Sequence, residues 1–138
     1  MKCTVEKIKI GEEGTEYKYY NSITAIEFDE NDETAYLPPS FNGEPICWVG
    51  YKQDYAPAYE RWHDWQHPSQ GSEWVEAKYT RQYCSILVPA YVKKIILPAT
   101  IKDFPSPPFK AEGKLSVEVS PDNPHCEYLT KRLIQYYP

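Results

Sequence analysis

Two histidines one helical turn apart, in His63-Asp64-Trp65-Gln66-His67, form the clearest chemical signal in the chain. Imidazoles at i and i+4 leave one face of a helix together and fit two ligand positions of a zinc or nickel ion. Asp64 follows His63 where zinc peptidases carry Glu, so the His-Glu-x-x-His pattern is not met. A third ligand has to come from Asp64, Glu60 or His125. The bland alternative is a pair of solvated histidines, and on that reading no cofactor is expected.

Around them stand Tyr55, Tyr59, Trp62, Trp65 and Trp74, the candidate binding residues. Trp and Tyr dominate the energetic centres of protein interfaces, and their rings also stack on sugars. The same rings fill a core equally well, since each buries a large apolar body.

Other chemistry lacks its parts. Six dispersed glycines build no phosphate loop, and Gly-x-Ser-x-Gly does not occur. Cys84 heads an apolar stretch, which suits a core thiol better than a nucleophile. Glu12-Glu13 and the acidic run Asp29 to Glu33 fall in turns and read as solvated loops. Nothing assembles a nucleophile, a base and an oxyanion donor, so no enzyme activity is expected.

The frame for these residues is a chain of 138 residues, the size of one domain. Hydrophobic residues make up 41% of it, enough for a packed core. Thirteen prolines argue against a helical bundle and suit short strands separated by turns. A net charge of -5 speaks against nucleic-acid binding, which needs basic patches. No stretch approaches the length of a membrane span. Met1-Lys2-Cys3-Thr4-Val5-Glu6-Lys7-Ile8 lacks the apolar core of a signal peptide. A cytoplasmic location is therefore expected if Met1 is the native start, and a surface or secreted one if a signal peptide has been removed. Cys3, Cys47, Cys84 and Cys126 are spaced too irregularly for a zinc finger or a dense disulfide framework.

Strand signals run along most of the chain. Residues 3–10 alternate, Gly11-Glu12-Glu13-Gly14 turns, and Thr15 to Tyr20 is β-prone again, as in an opening hairpin. Further short apolar runs are Ile23 to Phe28, Tyr36-Leu37, Ile46 to Val49, Ile86 to Val88, Val92 to Leu97 and Leu115 to Val119. Several end at proline. Asn42-Gly43 marks a tight turn with positive φ. Residues 54–83 differ: Tyr55, Tyr59, Trp62 and Trp65 recur at helical spacing, with Pro57 placed as a first helical residue. The tail from Glu127 to Tyr137 suits a short helix or a final strand pair.

Val88-Pro89-Ala90-Tyr91-Val92-Lys93-Lys94-Ile95 echoes Leu97-Pro98-Ala99-Thr100-Ile101-Lys102-Asp103-Phe104. Leu97 and Val119 each close a strand at a proline-containing turn, at the period of a strand-per-repeat solenoid. Residues 36–50, with Leu37-Pro38, Asn42-Gly43, Pro45-Ile46 and Val49-Gly50, resemble the opening repeat of BspA-like leucine-rich repeat proteins. Residues 92–104 are similar to that family's internal repeat, and 114–128 to its strand plus Ser-Pro-Asp-Asn-Pro turn. Pro105-Ser106-Pro107-Pro108 departs from the usual small-residue turn.

The resemblance implies a short, irregular bacterial member of that family. The expected fold is a β-rich α+β, leucine-rich-repeat-type solenoid in a single domain, 1–138. Residues 1–35 form an N-terminal β cap, 54–83 an irregular or helical insertion or degenerate repeat, and 84–138 the repeats and C-terminal cap. The implied function is a non-catalytic interaction module that binds a protein or glycan through the solenoid surface. The alternative is a small metal- or ligand-binding protein centred on His63 and His67.

Overall fold

The computed structural model describes residues 1–10, 18–57, 77–105 and 107–138; at 10, 18, 54–57 and 77–83 only the backbone is described. The chain divides into two compact units, Met1–Lys52 together with Tyr83–Pro138, and Gln53–Gln82. Each is treated by itself.

The first unit opens with a long antiparallel hairpin, β1 (Lys2–Ile10) and β2 (Lys18–Glu27), paired from Lys2↔Glu27 to Ile10↔Lys18 with one irregularity between Thr4 and Val5. Strand β3 is Thr34–Tyr36, β4 is Ser40–Phe41 and β5 is Glu44–Val49. Asn42 and Gly43, with φ of 50° and 79°, join β4 to β5. Two consecutive left-handed residues match the twist of a two-residue hairpin, which is why Asn-Gly stands there. Because β5 also pairs in parallel with β2, the sheet order is β1-β2-β5-β4.

Six further strands are described: β6 (Tyr51–Pro57), β7 (Ala77–Tyr83), β8 (Ile86–Val88), β9 (Lys94–Leu97), β10 (Phe109–Ala111) and β11 (Ser116–Val119). Helix α1 is Cys126–Tyr136. Parallel ladders join β10 to β8 and form the order β11-β9-β3. Alternation along these strands sends one parity inward. Ala35, Ile95 and Val117 form one buried rung, and Leu97 pairs with Val119 on the next. Helix α1 adds Leu129 and Leu133, and Phe104 and Ile101 come from the loop after β9, all in one core with Ile23, Ile46 and Val49.

These strands do not build a leucine-rich-repeat-type solenoid. A solenoid adds each repeat's strand to its predecessor in one continuing parallel ladder. Here the sheets are separate and mixed: the largest is headed by an antiparallel hairpin, and β9 lies between β11 and the distant β3. Within residues 1–35, expected as an N-terminal β cap, β2 is an interior strand of the largest sheet. The physical reason is partner choice. Strands of three or four residues need a neighbour to cover their apolar side, but alternation does not say which neighbour. The long hairpin takes up β5, leaving β3 to find β9.

In the second unit the helical expectation also needs correcting at its ends. Pro57 closes strand β6 instead of opening a helix, and Ala77–Tyr83 is a strand. Tyr79, Thr80 and Tyr83 are β-prone types that outweigh the weak helical reading there. Strands β6 and β7 pair as a two-stranded sheet.

Gly50, between β5 and β6, has φ +76°, and a Cβ there would lie 2.9 Å from the Cys84 carbonyl oxygen. Its own carbonyl accepts from the Cys84 N–H at 2.9 Å. Close backbone approach and left-handed geometry both require glycine at this point.

Candidate functional site

The sequence-derived candidates fall largely outside what can be seen. Tyr59, Trp62, Trp65 and Trp74, with Glu60, His63, Asp64 and His67, lie outside the described residues. Tyr55 belongs to β6 by its backbone, and its side chain is likewise outside them. Among the described residues no group of His, Cys, Asp and Glu could hold a metal ion. His125, the third-ligand candidate, is described: it is exposed and stands at the N-cap of α1.

Beside His125 lies an open groove of about 770 Å³, entirely within the first unit. Lys7 comes from β1, Tyr19, Tyr20 and Asn21 from β2, and Glu44, Pro45 and Cys47 from β5. The loop after β9 supplies Ala99 to Lys102, and the turn before α1 supplies Pro124 and His125. The pairing of β2 with both β1 and β5 sets the first three contributors side by side; Lys7 pairs with Asn21, which pairs with Ile46.

Backbone and side-chain hydrogen bonds hold the opposite wall. The Lys102 N–H donates to the Cys47 carbonyl at 2.8 Å, and the Thr100 hydroxyl donates to the Pro39 carbonyl at 3.1 Å. Asn123 is 4% exposed and makes three side-chain bonds. Its amide donates to the Pro98 and Ile101 carbonyls at 3.1 and 2.9 Å, and its oxygen accepts from the His125 N–H at 2.7 Å. One buried side chain thus ties the groove loop to the start of α1. A wall held in this way loses little freedom when a ligand arrives.

The polar groups of the groove are largely spent on the protein. Lys7 and Glu44 form an ion pair. The Asn21 side-chain amide donates to the Glu44 carbonyl at 3.4 Å. Lys102 holds its ammonium 4.8 Å from the centroid of the Tyr20 ring, a cation–π distance. What remains free is mainly apolar surface: the rings of Tyr19, 60% exposed, and Tyr20, with Pro45, Ala99 and Pro124.

Cys47 is the one thiol in this lining, and its environment does not activate it. Burial pushes the thiol above its ordinary range, while the nearby Lys102 charge pulls the other way more weakly. Cys3 and Cys84 are raised chiefly by burial as well. All four cysteines are free thiols.

Residue-by-residue reading singled out His125 here but missed Tyr19, Tyr20, Thr100 and Lys102. They carry no binding motif and come from two separate chain segments, β2 and the loop after β9. The β-prone stretch ending at Tyr20 and the repeat holding Thr100 and Lys102 were visible, but neither marks a site. Among the described residues, no helix is long and apolar enough to cross a membrane.

No protein-family model, curated protein or solved structure matches the chain.

Proposed function

We propose that this chain is a non-catalytic binding module whose groove receives a short extended segment of a partner protein. One observation carries the reading: a held groove lined by the Tyr19 and Tyr20 rings in which the Lys7, Glu44, Asn21 and Thr100 side chains already have internal partners. A sugar needs free donors and acceptors for its hydroxyls, and a groove with most of them occupied favours an apolar or aromatic peptide side chain. The unactivated Cys47 thiol supports a role without nucleophilic chemistry.

The test is selection from a phage-displayed library of short peptides, followed by calorimetric titration of the winners. Peptides that bind the wild type and lose at least about tenfold in affinity on Tyr20→Ala, at unchanged Tm, support the reading, since hot-spot aromatics cost more than about 1 kcal/mol on truncation. Winners insensitive to both Tyr19→Ala and Tyr20→Ala overturn it. Binding of oligosaccharides on a glycan array, with no peptide selected, replaces the protein partner with a glycan.

A further inference from the structure

We propose that the groove prefers an acidic segment: a peptide whose apolar side chain lies against Tyr19 and Tyr20 while a neighbouring carboxylate pairs with the Lys102 ammonium. This deepens the peptide-binding reading and rests on it.

Charge complementarity carries the inference. The chain as a whole is acidic, with 20 Asp and Glu against 15 Lys and Arg. Among the described residues the groove reverses that balance: Lys7, Lys102 and His125 line it, and Glu44 is its one acid. Glu44 is already neutralised by Lys7. Lys102 is the charge left over, and among the described residues no carboxylate lies within ion-pair distance of it. It is also fixed in place. Its backbone N–H is bonded to Cys47, and its ammonium sits on the face of the Tyr20 ring. A cation resting on an aromatic face still has N–H donors pointing away from the ring. A carboxylate one or two bonds from a group stacked on the tyrosines meets those donors. Repulsion by the net negative charge is screened over about 8 Å at physiological ionic strength, whereas a contact pair acts at far shorter range.

Phenylpropionate and phenylpropionamide make a probe pair that differs only in the charge. Both are titrated into the full chain and followed by backbone amide shifts, in the wild type and in Lys102→Met, which keeps the length of the stem. The expected result is that the acid binds about threefold more tightly than the amide, as for a solvent-accessible ion pair. The shifts should centre on Tyr19, Tyr20 and Thr100, and the preference should vanish in Lys102→Met. Equal affinity of acid and amide for the wild type overturns the proposal and leaves the apolar peptide groove standing. A preference that survives Lys102→Met also overturns it, because the carboxylate then sits elsewhere. If neither probe moves the groove residues, the peptide-binding reading falls together with the proposal.

Discussion

Replacing Asn123 by Ala should destabilise the chain far more than its place in a short turn suggests. The side chain is almost fully buried and makes three hydrogen bonds, to Pro98, Ile101 and His125. A net hydrogen bond contributes about 1 kcal/mol, and the buried partners left behind lose theirs without gaining water. The Ile101 carbonyl is stranded in the core and the part-buried His125 N–H loses its partner, while the Pro98 carbonyl keeps a weaker acceptance from the Ile101 N–H at 3.3 Å. The sum is about 3 kcal/mol, which for a domain of this size lowers Tm by roughly 10 °C. Urea unfolding followed by circular dichroism reads it as a lower midpoint at constant slope. Asn123→Asp is the companion variant: it keeps an acceptor for His125 but turns a carboxylate oxygen toward two carbonyls. At neutral pH it should lose at least as much as Asn123→Ala. A loss below about 1 kcal/mol in both variants would show that this side chain does not hold the groove wall to α1.

Three further perturbations follow from the same geometry. Gly50→Ala meets both a left-handed φ and the Cys84 carbonyl, and should cost about 2–3 kcal/mol, whereas Gly43→Ala, with open space around it, should cost about 1 kcal/mol; equal losses in urea melts would contradict this. Burial pushes the Tyr137 phenol up to about 12, although the Phe109 N–H that donates to its oxygen pulls the other way in part. The unfolded phenol loses its proton near the ordinary value of 10, so the stabilisation is present below pH 10 and disappears as pH rises through about 12. Tyr137→Phe should flatten that alkaline decline in stability, and an unchanged slope would refute the assignment. Native Cys47 should react with iodoacetamide at least about tenfold more slowly than in the urea-unfolded chain, read by mass spectrometry, because burial disfavours its thiolate; comparable rates would show that the site is open.

Local structure was legible wherever local chemistry decides it. Val117 and Val119 alternate with Ser116 and Glu118, and that stretch is a strand with the valines buried. Asn42-Gly43 announces its hairpin because few residue pairs accept two positive φ values. The tail was ambiguous between helix and strand; Leu129 and Leu133, one helical turn apart, both reach the core once α1 forms. The solenoid expectation failed at a different level. Similar proline-stopped strands suggested a repeating coil, yet β9 lies between β11 and β3 while β5 joins β2. The candidate site was harder still. The conspicuous aromatic run drew attention to residues 55–74, while the groove gathers unremarkable residues from β1, β2, β5 and two loops.

By itself the amino-acid sequence determined which residues alternate inward, where proline halts a strand and where glycine must turn the chain. Tertiary structure alone decided which strand lies beside which, and through that the meeting of Tyr20 with Lys102 and of Asn123 with Ile101. The reason lies in range. Backbone conformation and side-chain parity depend on neighbours in the chain, whereas pairing compares the burial offered by every available partner. A groove made where such pairings meet has no residue order of its own to be read.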